Sequence, residues 1–165
     1  MGISDKFSFR QKPTGVFKWF LKMPGYLFRA KLGFVFGDRF MLLTHTGRKS
    51  GNAFRTPLEI VVYDEETGEY IVCSGTGPRA DWYRNITASP AVSIQVRNKV
   101  WAPEQTFLDP EAAAERFASY EREHPKTAAR LLDSMGQSYD GSDADRVRMM
   151  ANIPMVSFSS APRSD

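Results

Sequence analysis

The chain has 165 residues, 42% hydrophobic and 25% charged, a length and balance that suit one domain with a sizeable core. Its single cysteine, Cys73, excludes an internal disulfide, and its two histidines, His45 and His124, lie too far apart in sequence for zinc-ligand spacing. The net charge of +3 hides an asymmetry: residues 1–60 hold 11 Lys/Arg against 3 Asp/Glu, and the rest hold 11 against 16, so the N-terminal half suits an anionic partner.

No apolar run approaches the roughly 18 residues of a spanning helix, and no apolar stretch is followed by a small-residue cleavage site. The expectation is a cytoplasmic protein, neither secreted nor integral. Twelve Phe and seven Met exceed the needs of a minimal core, so part of that apolar surface is expected to face a ligand.

Residues 1–13 are polar, mixed and without period, and read as a flexible arm. Residues 14–33 read as a basic aromatic helical segment: Val16, Phe17, Trp19, Phe20 and Met23 crowd one side while Lys18 and Lys22 share the other, and Pro24-Gly25 interrupts the run. Aromatic residues opposite lysines suit an interfacial helix on anionic lipid, so residues 14–32 could touch the inner face of a membrane. Packing of the same aromatics onto the domain or a partner subunit fits the pattern equally. Residues 34–165 are expected to form the main domain.

Arg39 to Thr46 and Phe54 to Tyr63 read as strands, joined by Gly47-Arg48-Lys49-Ser50-Gly51. Glycine allows backbone angles that other residues avoid, so this turn could aim several N–H groups at one anion while Arg48 and Lys49 supply charge. A solvated basic hairpin has the same pattern. The turn is not a Walker loop, whose lysine and hydroxyl residue close a longer glycine span and open a helix. Pro57, inside the second run, marks an edge or bulge.

Asp64 to Gly68 reads as an acidic turn, and Tyr70 to Ser74 as a third strand ending in a second glycine-rich turn, Gly75-Thr76-Gly77-Pro78. Asp81 to Ala88 suits a short helix stopped by Ser89-Pro90. Val92, Ile94 and Val96 alternate with polar residues as in a half-buried strand, Asn98 turns the chain, and Val100 to Leu108 is expected to return as its hairpin partner. Asp109-Pro110 opens a helix to about Arg122, since an N-cap oxygen and a proline at the first position both favour a helix start. His124-Pro125 breaks it, Lys126 to Ser134 resumes, Ser142 with Asp145 caps another helix through Ala151, and Pro154 to Ser159 closes as a strand.

No serine stands in a Gly-x-Ser-x-Gly frame, so a hydrolytic triad is unsupported. Nucleic-acid binding has the charge but no accompanying helix-turn-helix, zinc module or aromatic sheet motif. Two glycine-rich turns with aromatic neighbours and a basic cluster suit instead a phosphorylated planar cofactor on a mostly β scaffold, where the cofactor performs the redox chemistry and the protein orients it.

Leu42-Leu43-Thr44-His45-Thr46-Gly47-Arg48-Lys49-Ser50-Gly51, then Arg55-Thr56-Pro57-Leu58, Ser74-Gly75-Thr76-Gly77, Asp81-Trp82-Tyr83-Arg84-Asn85 and Ser89-Pro90, in this order, resemble the deazaflavin-dependent nitroreductases, also called quinone reductases dependent on coenzyme F420. The likeness covers residues 15 to 108 and the closing Ile153-Pro154-Met155-Val156. It implies an α+β fold, a split β-barrel of about six mostly antiparallel strands with flanking helices, as in proteins binding flavin mononucleotide (FMN).

It further implies an oxidoreductase that takes hydride from reduced F420 and passes it to an electron-poor small molecule such as a quinone, enone or nitroaromatic. By the same likeness Arg48, Lys49 and Ser50 would bind the phosphate or the anionic oligoglutamate tail, with Asn52, Arg55 and Thr56 nearby. Pro57 would line the deazaflavin, Ser74, Gly75, Thr76 and Gly77 would approach its rings through backbone, and Trp82 and Asn85 would form the pocket wall. Charge-assisted hydrogen bonds to phosphate or carboxylate independently favour the tail assignment.

The chain departs from nitroreductase-active relatives at Pro57-Leu58-Glu59, where those have Pro-Leu-Tyr, at Gly75, near which they carry a lysine, and in a longer segment between Tyr120 and Ala151, which leaves Tyr139 as the candidate on the substrate side. FMN in the same cradle, a non-catalytic deazaflavin carrier and a homodimeric assembly remain open on sequence grounds.

Overall fold

The computed structural model describes residues 38–159, so the arm expected at 1–13 and the helical segment expected at 14–33 lie outside the described residues. Within 38–159 the order is β1 (Phe40–Thr46), β2 (Ala53–Asp64), β3 (Glu69–Cys73), α1 (Asp81–Ala88), β4 (Ser93–Val96), β5 (Lys99–Trp101), β6 (Gln105–Phe107), α2 (Pro110–Glu123), α3 (Pro125–Ser134), α4 (Asp143–Asn152) and β7 (Met155–Phe158). No helix among the described residues is long and apolar enough to cross a membrane.

All seven strands join one antiparallel sheet in the order β5-β4-β1-β2-β3-β7-β6. The single returning strand expected over Val100–Leu108 is corrected to two short ones. β5 pairs with β4 at one edge of the sheet, whereas β6 pairs with β7 at the other. Pro103, which has no N–H for a ladder, lies between them.

Because only Ala102, Pro103 and Glu104 separate β5 from β6, the two outer edges must meet, and the sheet curls into a split barrel. The seam is tied by Trp101 Nε1 donating to the Ser159 carbonyl at 2.9 Å and by the Ser159 N–H donating to the Glu104 carbonyl at 2.9 Å.

Strand alternation divides the apolar residues between two cores. Met41, Leu43, Leu58, Val72, Ile94, Val156 and Phe158 point into the barrel, where Trp82 and Ile86 of α1 join them. Their neighbours Ile71 and Met155 point outward and are covered by Phe117, Ala128, Leu132, Met149 and Met150 from α2, α3 and α4. The α2 start is as the sequence indicates: Asp109 accepts from the Ala112 N–H, with Pro110 at the first position. Ser142 caps α4 by accepting from the Asp145 N–H.

Pro57 faces Leu42 across β1, while β3 pairs with β2 only from Ile60 onward, after an irregularity between Ile60 and Val62. Among the described residues the strand therefore has a neighbour on one side alone at Pro57, the edge-like place expected for it.

Candidate functional site

The β1–β2 turn is the start of a polar network that runs inward. Asn85 of α1 is 5% exposed, and its Oδ1 accepts from the Arg48 backbone N–H at 3.1 Å and from Arg48 Nη1 at 2.8 Å. Arg48 Nη2 donates to Asp81 Oδ1 at 2.9 Å, and this bond holds the Asp81 carboxyl below its usual range. The first and fifth residues of α1 thus clamp the turn from one side.

On the other face of Asn85, Nδ2 lies 3.1 Å from His45 Nδ1, and His45 Nε2 lies 2.9 Å from Thr56 Oγ1. His45 is 2% exposed, and burial lowers its pKa against the opposing pull of the Asp81 charge.

The turn itself is less of a backbone cradle than its glycines suggest. The Gly47 N–H donates to the Asn52 carbonyl, the Gly51 N–H to the Gly47 carbonyl, the Asn52 N–H to Ser50 Oγ, and the Arg48 N–H to Asn85. That leaves the Lys49 and Ser50 N–H groups without an internal acceptor among the described residues. Gly47 sits against two side chains that an added carbon would displace: a Cβ there would lie 2.5 Å from Phe54 Cε2 and 2.7 Å from Ser50 Oγ. Gly51 meets nothing but has φ +70°, a left-handed angle that favours glycine.

A cavity of about 450 Å³ opens beside this turn, lined by His45, Gly47, Arg48, Lys49, Ser50, Phe54, Arg55, Thr56, Asp81, Trp82 and Asn85. Seven expected site residues therefore share one wall: Arg48, Lys49, Ser50, Arg55, Thr56, Trp82 and Asn85. Trp82 is at once wall and core, being 9% exposed and packed in the barrel cluster.

Asn52 and Pro57 lie outside that lining. Ser74, Gly75, Thr76 and Gly77 also lie outside it, in a joint between β3 and the helices. Ser74 Oγ donates to the Gly77 carbonyl at 2.6 Å, a Cβ on Gly75 would meet Met135 at 3.1 Å, and one on Gly77 would meet the Asn152 carbonyl at 3.2 Å. Tyr139 faces neither cavity; its hydroxyl donates to Glu121 and accepts from Arg146 Nη2 at 3.3 Å, which fixes the loop before α4.

A larger cavity, about 1070 Å³, lies between β2 and α2, and its wall carries Asp38, Glu59, Asp64, Glu115 and Glu123 against Arg39 and Arg116. Charge separates the two: an oligoanion is repelled by the larger space and drawn to the smaller one. In the smaller one Arg48 is already engaged by Asp81, while Lys49 and Arg55 have no ion-pair partner among the described residues. With the hydroxyls of Ser50 and Thr56, they form a donor-rich set that fits a phosphodiester or carboxylate group.

Besides Gly47 of the turn, sequence reasoning passed over three side chains of this wall. Phe54 is 47% exposed and stacked on His45 with ring centroids 6.0 Å apart. His45 and Asp81 complete the network. The available signal was strand parity: His45 continues the inward row of Met41 and Leu43, a polar residue at the end of an apolar stripe.

Solved structures that resemble the chain include an F420-H2 dependent reductase, 26% identical, with 73% of this chain and 94% of that one covered at a TM-score of 0.47. A pyridoxamine 5′-phosphate oxidase-related, FMN-binding protein of Nostoc punctiforme is 16% identical, covering 82% and 77% at 0.48. A domain-swapped dimer is 23% identical, covering 83% and 100% at 0.48. A family model described as F420H(2)-dependent quinone reductase matches residues 28–131, more than half of the sequence. The chain belongs to the F420H(2)-dependent quinone reductase family and is an oxidoreductase that works with coenzyme F420.

Proposed function

We propose that the cavity beside the β1–β2 turn holds the charged end of reduced F420, and that the enzyme delivers hydride to an electron-poor acceptor, a quinone first among enones and nitroaromatics. The observation that carries the site assignment is the pairing of two cations without ion-pair partners among the described residues, Lys49 and Arg55, with a turn whose third cation is locked in place. When bound, reduced F420 supplies the hydride. The chain's own part is binding and orientation.

Lys49, Arg55 and the Ser50 hydroxyl hold anionic oxygens. Asp81 and Asn85 keep the Arg48 fork and the turn in one geometry, and Trp82 closes the wall against the barrel core. Pre-set donors need little reorganisation when the ligand arrives. Neither a metal nor a thiol enters this scheme. Cys73 is half-buried against the helices, and desolvation pushes its pKa up to about 12.

The test is a fluorescence titration of the purified protein with F420 and with a deazaflavin lacking phosphate and tail. Lys49→Ala with Arg55→Ala should raise Kd for full F420 by roughly a hundredfold, on the scale of two charge-assisted hydrogen bonds, and leave the tail-less compound within about twofold. Equal changes for both compounds would sink the assignment. Consumption of reduced F420 with menadione as acceptor tests turnover.

We further propose a cytoplasmic location at the membrane face, supported by the basic aromatic composition of residues 14–32. Co-sedimentation with anionic vesicles, lost when residues 1–33 are deleted, is the expected result; no sedimentation of the full chain rejects it.

A further inference from the structure

The buried network fixes the direction of every hydrogen bond in it. Asn85 Oδ1 accepts two donors from Arg48, so the amide cannot be turned the other way without setting its N–H groups against them. Asn85 Nδ2 then donates to His45 Nδ1 across 3.1 Å, and that ring nitrogen must present a lone pair. The imidazole proton therefore resides on Nε2, which donates to Thr56 Oγ1 at 2.9 Å.

Thr56 Oγ1 is thereby an acceptor inside the protein. Its own hydrogen has no acceptor among the described residues, and Thr56 lines the cavity.

We propose that His45 is a positioning residue that, together with Asn85, locks the Thr56 hydroxyl as a hydrogen-bond donor to an acceptor oxygen or nitrogen of the bound cofactor. This rests on the reading of the cavity as the F420 site. A hydroxyl free to rotate can donate or accept, and so tolerates either kind of ligand atom. Thr56 is denied that choice by a ring nitrogen 2.9 Å away, so the cavity selects a lone pair at this point.

The acceptor could belong to the phosphodiester or to a carbonyl or nitrogen of the ring system. Both present a lone pair, and the titration distinguishes them.

Long-range proton–nitrogen correlation spectra of the unliganded protein should show His45 protonated at Nε2 alone; protonation at Nδ1 overturns the proposal without any variant. In titrations with F420, Thr56→Val should raise Kd about five- to tenfold, the size of one hydrogen bond, and Thr56→Ser should stay within about twofold of the parent. His45→Leu, which unlocks the hydroxyl but leaves it able to donate, should raise Kd by a smaller factor than Thr56→Val, His45→Gln, which can still donate to Thr56, should recover most of that loss, and His45→Leu should add nothing to Thr56→Val.

Additive effects, or Thr56→Val within twofold of the parent, defeat the proposal. If the Thr56→Val loss persists with the tail-less deazaflavin, the acceptor is in the rings; if it vanishes, it is in the phosphodiester. Should Lys49→Ala with Arg55→Ala leave Kd unchanged while the His45 tautomer is as stated, it is the cofactor-site reading that falls and not the network.

Discussion

At the scale of single residues, His45 carries a pH signature of its own. Its pKa is lowered by burial, so the unfolded chain takes up a proton more readily than the fold does. The stability linked to His45 is therefore fully present above the unfolded value near 6.5 and is lost as pH falls from there through the folded value. Denaturant midpoints measured from pH 8 down to pH 5 should fall more steeply for the parent than for His45→Gln, which has no titrating group at this position.

Gly47 makes a different prediction. The two atoms that an added methyl group would strike, Phe54 Cε2 at 2.5 Å and Ser50 Oγ at 2.7 Å, are ends of side chains that can swing aside. Gly47→Ala should thus cost only about 1 kcal/mol in stability, yet shift two cavity-lining groups. Its effect on F420 affinity should exceed its effect on the denaturant midpoint.

Among elements, α1 does more for the site than its eight residues suggest. It places Trp82 and Ile86 in the barrel and, from the same two turns, Asp81 and Asn85 on the cradle. Removing the Asn85 amide leaves the buried His45 Nδ1 and the Arg48 N–H unpaired. Asn85→Ala should cost about 2–3 kcal/mol by chemical denaturation and weaken F420 binding as well.

The span of this helix, Asp81–Ala88, was legible from sequence because both of its boundaries are local: an acidic first residue and a Ser-Pro stop. The network was not, since the partners of His45 lie 11 and 40 residues away and only the pairing of β1 with β2 and the docking of α1 bring them together. The run Val100–Leu108 failed for a related reason. It follows the Asn98 turn as a hairpin partner would, and nothing local states that the hydrogen-bonding partner changes at Pro103 from β4 to β7.

The order of motifs was enough to indicate the barrel and its family, because that order is a property of the whole chain. It was less able to assign the second glycine turn, where Gly75 and Gly77 make room for Met135 and the Asn152 carbonyl, protein groups contributed by elements more than fifty residues further on.

For the molecule as a whole, Cys73 is a built-in reporter. Its thiol sits beside Met135 Sδ at 3.7 Å under the helices, and burial pushes its pKa up to about 12. Only the thiolate reacts at useful rates, so native protein should be silent to thiol reagents at pH 8. One equivalent should react on global unfolding, at a rate that follows the denaturant curve. Fast modification of the folded protein would show that α3 lifts away from β3 on its own.

The position of β7 has a consequence for biosynthesis. Residues 155–158 form an interior strand, inserted between β3, made some eighty residues earlier, and β6. While the chain emerges from the ribosome, β3 and β6 must wait with bare edges, and the outward apolar row of β3 has helices to cover it but no neighbour to complete it. The barrel cannot seal until its last strand is released, so a chain stalled even a few residues short of Phe158 presents two open strand edges to whatever else is in the cell.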